Sequence, residues 1–363
     1  MRSVTLLCIL FWGEVLFAAG TRCLVGSPKN QTFTKAIQNS TTPLMTQFRG
    51  VSAFKSQEGQ LNGCLNGLCS EYTSELYRLP RNLNEIPKEC IVTSMKRKVA
   101  QTSIECRRQS DGNWNFVRHS ARSKNRPCMD SSTADYVHFV TNKVLSCFQG
   151  LSLKNGVKAS VDVKMFYAKI NNESAFNFSY SYRGGTGIGQ LTSSAVREMN
   201  VINSKGTPGR GRFILDAILN STKPECQDLR HVIADDMRFR YQKPRETIRT
   251  CEWVSMETGL ARGLIYSLGF FSFLKNEIIG KQLRRIAPHA YNDPDILNLL
   301  TMVGYGPNGA NRALELIYEL KMHVRATSLD YVKNQLRKEK YVKATMNKLA
   351  ELKQTSGDSC RLL

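Results

Sequence analysis

After its first twenty residues the chain has no apolar run long enough to cross a bilayer, so stable insertion as a helical membrane protein is not expected. Acid is also in short supply: 30 Asp and Glu stand against 51 Lys and Arg, a formal net charge of +21. A field of that sign concentrates anionic partners, which leaves nucleic acid and an anionic wall or lipid surface as candidates. No basic run is interleaved with aromatics in the manner of a strand-binding groove, which argues against nucleic acid. Histidine is scarce, at His119, His138, His231, His289 and His323, and no Cys-x-x-Cys occurs. No zinc site of ordinary spacing is therefore predicted, and no metal or other cofactor is expected. Internal repeats and low-complexity tracts are absent too. What remains, 41% hydrophobic and 9% aromatic over 363 residues, suffices for one large or two ordinary globular domains.

The chain begins MRSVTLLCILFWGEVLFAAG. Arg2 supplies a positive start, Val4 to Trp12 an apolar stretch, and Ala18-Ala19-Gly20 small residues for cleavage. This pattern predicts a secretory leader cut near Gly20 and a secreted or periplasmic mature chain. Cys8 would leave with the leader. Ten cysteines remain: Cys23, Cys64, Cys69, Cys90, Cys106, Cys128, Cys147, Cys226, Cys251 and Cys360. An even number in an exported chain predicts five disulfides, with connectivity left open.

Four segments are expected: the leader 1–20, a Cys-rich N-terminal region 21–158, a main domain 159–325 and a C-terminal amphipathic helical extension 326–363. Turn signals crowd the second (Asn62-Gly63, Asn66-Gly67, Asp111-Gly112, Asn155-Gly156), which therefore reads as loop-rich and disulfide-stapled. Its basic clusters, Lys96-Arg97-Lys98 and Arg118 to Arg126, read as solvated surface. From residue 159 helical periodicity takes over. Helices are predicted ending near Glu173 and over 193–200, 213–220, 228–238, 253–275, 294–303 and 310–326. One more is predicted over 328–353, with Tyr331, Leu336, Tyr341 and Leu349 on its apolar side. The expected fold class is mainly α.

Within this helical part lies NNESAFNFSYSYRGGTGIGQLT, residues 171–192. Its Gly185-Thr186-Gly187-Ile188-Gly189-Gln190 supplies two glycines of a dinucleotide fingerprint and lacks the third, and no βαβ repetition follows. A nucleotide loop is thus excluded. Glycines also let backbone lie flat against a bulky ligand, since no Cβ intervenes.

Glu173-Ser174 at a helix end, followed by the glycine-rich segment closing in Gln190, resembles the soluble-type lytic transglycosylases of the lysozyme-like superfamily, which includes goose-type lysozyme. Gly263-Leu264-Ile265-Tyr266 is similar to the family's buried Gly-x-x-Tyr helix, and Gly304-Tyr305-Gly306-Pro307-Asn308-Gly309 to its last motif. The resemblance covers roughly residues 160–320. It departs at Gly189, where the family usually has Met, and at Gly306, where it usually has Asn.

The resemblance implies a lysozyme-like α (α+β) catalytic domain that cuts the MurNAc–GlcNAc bond of peptidoglycan. It implies Glu173 as general acid and then base, with the substrate's own hydroxyl or N-acetyl group as nucleophile and an anhydro-sugar product. Ser174, Gly187, Gln190 and Tyr305 would contact substrate, Tyr305 also as a donor to Glu173, with Tyr167 and Phe176 desolvating the acid. The expected partners are peptidoglycan glycan strands and an anionic wall surface, met by a monomer. Two alternatives stay open: a hydrolytic muramidase, for which Asp162, Asp235, Asp236 or Glu257 would hold the water, and a catalytically silent wall-binding protein. Five Asn-x-Ser/Thr sequons occur, at Asn30, Asn39, Asn172, Asn177 and Asn220.

Overall fold

The computed structural model describes residue 44, parts of 85–94, strands β1 (Ile104–Arg108) and β2 (Trp114–Arg118), and most of 131–356. Within the last span the residues 177–180, 183–184, 201–206, 237–258, 308 and 323–325 are not described. The expected leader, and every mature cysteine before Cys90, lie outside the described residues.

The chain is mainly α-helical. After the β1–β2 antiparallel pair come α1 (Ser131–Phe148), α2 (Val163–Ser174), a two-residue antiparallel pair β3 (Ser181–Tyr182) and β4 (Gly185–Thr186), α3 (Ser193–Met199), α4 (Arg212–Leu219) and α5 (Pro224–Asp236). Then follow α6 (Gly259–Phe273), a π-helical turn over Leu274–Ile279, α7 (Gly280–Ile286), α8 (Pro288–Tyr291), α9 (Pro294–Tyr305), α10 (Gly309–Leu320), α11 (Ala326–Lys338) and α12 (Lys340–Ser356). Helix α1 lies in the stretch read as loop-rich. Turn dipeptides flank it, and its own apolar residues (Tyr136, Val137, Val140, Val144, Leu145, Phe148) are buried against α5 and α6.

Helix α6 is buried on all sides except at Phe270. It packs against α1, α3, α4, α5 and α9, the position expected of a helix that is apolar all round. Two hydrophobic clusters form about it. One gathers α1, α2, α3, α4, α5 and most of α6; the other gathers the π turn with α7, α9, α10, α11 and α12. Phe270 and Ile278 pack against both. The π turn is admitted by Gly280, whose N–H bonds Lys275 O five residues back, and where a Cβ would lie 2.3 Å from that oxygen.

The helix expected over 328–353 is broken at Glu339 into α11 and α12. Arg312 on α10 grips the Glu339 carboxylate through Nε at 3.2 Å and Nη2 at 2.8 Å, and α12 restarts with Lys343 N–H on Glu339 O at 2.8 Å. Tyr331, expected on the apolar side, is 56% exposed. The buried face of α11 runs through Val332 and Leu336 instead.

Cys147 at the end of α1 is bonded to Cys226 in α5, a sequence separation of 79, and Cys90 is likewise disulfide-bonded. Lys223 reinforces the first junction by donating to the carbonyls of Ser146 (2.5 Å), Cys147 (3.2 Å) and Gln149 (2.6 Å). Opening a loop of that length removes a constraint on the unfolded chain. Replacing Cys147 and Cys226 together by Ser is expected to lower unfolding free energy by about 2–5 kcal/mol, read as a lower urea midpoint under non-reducing conditions.

Candidate active site

Helix α2 starts at Asp162, whose Oδ1 accepts from Met165 N–H at 3.0 Å while its Oδ2 accepts from Asn298 Nδ2 at 3.3 Å. The helix ends at Ser174 because Ala175 (φ 50°) and Phe176 (φ 62°) both turn left-handed. Such a conformation is costly for residues with a Cβ, about 1–2 kcal/mol each. The third positive-φ residue other than glycine among the described residues is Gln190, at φ 48°. All three fall between the helix end and the close of the glycine segment, so the backbone strain is gathered in one place. Buried Phe176, stacked on Tyr167 with centroids 5.4 Å apart, anchors the turn.

A cavity of about 940 Å³ opens at the seam between the two hydrophobic clusters. Glu173, Gln190, Tyr305 and Tyr341 line it, with Phe270, Phe273 and Ile278 as an apolar wall. Of the residues expected at a site, Glu173, Gln190 and Tyr305 thus meet here. Gln190 is half-buried and donates from Nε2 to Gly187 O at 2.8 Å. Gly187, at φ 69°, is buried within the loop. Ser174 is not among the lining residues. Its Oγ donates inward to Ile188 O at 2.7 Å and pins the end of α2 to the glycine segment.

Tyr305 does not donate to the acid as expected. Its hydroxyl donates to Gly189 O at 2.9 Å and lies 3.3 Å from Ser267 Oγ. The donor to Glu173 Oε1 is the Tyr341 hydroxyl, from α12. Tyr167 and Phe176 do not line the cavity either, and Tyr167 donates to Cys90 O at 2.9 Å. Tyr266 is fully buried in the core. Burial of Glu173 comes instead with Tyr305 and Tyr341, whose rings lie 6.4 Å apart.

One turn before the acid, Lys169 is buried, hydrogen-bonded to Ser267 Oγ, with Nζ 3.9 Å above the centre of the Tyr305 ring. Desolvation raises the Glu173 carboxyl above its ordinary range, while the Lys169 charge and the Tyr341 hydrogen bond pull it back. Desolvation also lowers the Lys169 ammonium, against the attraction of Glu173. Both phenols are raised, first by burial and then by the neighbouring carboxylate, and so remain donors. The site is a carboxyl able to hold a proton, set among groups that also stabilise the anion left when the proton departs.

Glu198 is a second carboxylate on the cavity wall, and sequence reasoning missed it. Arg210 takes both of its oxygens at 2.9 Å, with the guanidinium 5.6 Å from the Phe273 ring centre. The other acids considered for a water-holding role lie elsewhere. Asp162 serves the start of α2, the side chains of Asp235 and Asp236 are not described, and Glu257 lies outside the described residues. Among the described residues no group of three or more His, Cys, Asp or Glu could hold a metal ion. No helix there is long and apolar enough to cross a membrane.

Two motif departures have steric reasons. A Cβ at Gly189 would come within 2.5 Å of Ser267 Cβ and Oγ, and one at Gly306 within 2.8 Å of Tyr341 Cγ. The glycines admit, respectively, helix α6 against the loop and Tyr341 against the end of α9.

No protein-family model, curated protein or solved structure matches the chain.

Because Ser267 is held inside α6, it has little room to yield. Gly189→Ala is therefore expected to destabilise the fold by about 1–3 kcal/mol, the cost of overpacking a close contact. An unchanged urea midpoint would contradict the packing of the glycine segment on α6.

Proposed function

We propose that the chain is an exported peptidoglycan-cleaving glycosidase of lysozyme-like fold, a lytic transglycosylase in which Glu173 is general acid and then base. The observation that carries this reading is the half-buried Glu173 carboxyl, raised by desolvation, facing a 940 Å³ cavity beside Gln190 and Tyr305. Cleaving a glycosidic bond requires a proton on a poor leaving group as positive charge develops at the anomeric carbon. A carboxyl group raised by desolvation is suited to give that proton near neutral pH.

In the first step Glu173 gives its proton to the bridging oxygen, and the bond to the anomeric carbon of MurNAc breaks. Glu173, now a carboxylate, is steadied by Lys169 and Tyr341. It then takes the proton of the substrate's own hydroxyl as that oxygen bonds the anomeric carbon, which closes the anhydro ring and restores the acid. Non-hydrolytic cleavage is favoured over hydrolysis because the other carboxylate on the described cavity wall, Glu198, has both oxygens held by Arg210. Gln190, on the cavity wall, would contact the glycan through its side-chain amide. The +21 charge would draw the protein to an anionic wall.

Glu173→Gln keeps the shape and removes the titratable proton. It is expected to lower release of wall fragments by about 10²- to 10⁴-fold, with mass spectrometry of the wild-type digest finding anhydro-MurNAc ends. Reducing ends would favour a hydrolase, and undiminished turbidity loss by the variant would remove Glu173 from the chemistry. Binding to wall sacculi is expected to weaken as salt is raised from low to physiological strength and beyond. Salt-insensitive binding in a pull-down would leave the charge without that role.

A further inference from the structure

We propose that Arg210, held on Glu198 at the cavity wall, binds the carboxylate carried on the lactyl arm of MurNAc, its own or that of a stem peptide, and so selects muramyl glycan over glycan of GlcNAc alone. This rests on the glycosidase reading and names the feature of the substrate that the site reads.

The arginine stands outside every motif that carries the sequence resemblance, in Thr207-Pro208-Gly209-Arg210-Gly211 between α3 and α4. Its loop is fixed to the end of α3. A Cβ at Gly209 would run into the carbonyl oxygens of Arg197 and Glu198, and one at Gly211 would lie 2.8 Å from Met199 Sδ. Gly211 N–H donates to Glu198 O at 2.8 Å, and Arg212 N–H closes the turn on Gly209 O at 3.1 Å. Backbone and side chain of Glu198 thus both hold the loop, the latter through Arg210 Nε and Nη2 at 2.9 Å each. The guanidinium lies 5.6 Å from the ring centre of Phe273, which lines the cavity with it.

A guanidinium has five N–H donors in a planar fork, and Glu198 takes two of them. The others, on Nη1 and Nη2, bond no described residue, and with its side chain 68% exposed Arg210 is open to a ligand in the cavity. A carboxylate matches such an edge with two parallel bonds, the geometry for which arginine is suited. Because Glu198 already fixes the fork, little side-chain freedom is left to lose on binding. Glu198 also offsets the charge of Arg210, so selection comes from paired hydrogen bonds more than from net attraction. MurNAc differs from GlcNAc by a lactyl ether that ends in a carboxyl group, free in a bare glycan and extended in the intact wall by a peptide with carboxylates of its own. That arm is the anionic feature that separates muramyl glycan from a chitin chain.

Binding is read by titration calorimetry on the full-length protein carrying Glu173→Gln, which stops turnover. The probes are a GlcNAc–MurNAc tetrasaccharide with free lactyl carboxylates, the same glycan bearing stem peptides, and chitotetraose. A carboxylate-bearing probe is expected to bind about tenfold more tightly than chitotetraose, the low end for hydrogen bonds to a charged group. Adding Arg210→Gln should abolish that preference and leave chitotetraose binding little changed. Adding Glu198→Gln should keep or increase it. An ion pair that merely holds the loop would instead weaken binding alike on loss of either partner. Preference for the peptide-free probe assigns the lactyl carboxylate itself, and preference confined to the peptide-bearing probe assigns a carboxylate of the peptide. Equal binding of all the probes, or the same loss in both added variants, would overturn the proposal. If wild-type protein cuts wall glycan but shows no such preference, the carboxylate subsite fails and the glycosidase reading stands. If the preference depends on Arg210 and wild-type protein cuts no glycan, the glycosidase reading fails and the subsite stands.

Discussion

Withdrawal from water raises a carboxyl group above its ordinary range, and in this chain the partial burial of Glu173 comes where two hydrophobic clusters meet at the end of α2. Neither cluster suffices alone. The α1–α6 side holds the helix that bears Glu173, whereas the α7–α12 side contributes Tyr305 and Tyr341. Phe270 and Ile278 touch both clusters and also line the cavity. The seam is therefore at once where the two halves cohere and where a ligand can enter. The π turn at Leu274–Ile279 lies on that seam, with Leu274 and Ile278 on the cavity wall, in keeping with the frequency of such turns at functional sites.

Desolvation by itself would make Glu173 a good holder of protons and a poor donor, since the departing proton would leave an unpaired buried charge. Lys169 and Tyr341 both answer that cost. The first supplies charge, itself held over the Tyr305 ring and by Ser267; the second supplies a directed hydrogen bond. Ser267 ties this arrangement to the loop, because the same residue bonds Lys169, neighbours the Tyr305 hydroxyl and abuts Gly189. A change at any one of them reaches the acid through this chain of contacts.

Periodicity located most helices of the 159–353 span because each presents a continuous apolar face, and Glu173, Gln190 and Tyr305 were legible because each stands within a short local motif. The unread parts share a different property. Tyr341 reaches Glu173 across 168 residues, and a tyrosine on an amphipathic helix reads as packing. Lys169 sits four residues before Glu173, the spacing that puts two side chains on one helix face, and that spacing was the available signal. Lysine is seldom fully buried, so the ordinary expectation sends it to the surface. Helix α1 went unread because turn dipeptides around it outweighed its own apolar spacing. Glu198 resembles any solvated carboxylate until Arg210 and the cavity are seen around it.

The two glycines that depart from the family resembled acquire a common meaning from these contacts. In each case the side chain that is missing from the motif leaves room that another segment fills with a polar group. Ser267 of α6 comes against residue 189, and Tyr341 of α12 against residue 306. A polar side chain at 306 would project toward the place the phenol now holds, so the two cannot coexist. The departure at 306 and the presence of α12 are thus one structural fact rather than two. A motif judged by its own residues would be scored as eroded, although the room left at residue 306 is filled from a helix that begins more than thirty residues later. It follows that residues 340–356, which sequence assigns to an extension, belong physically to the site: Gly306 has a reason to be glycine only while that helix is docked.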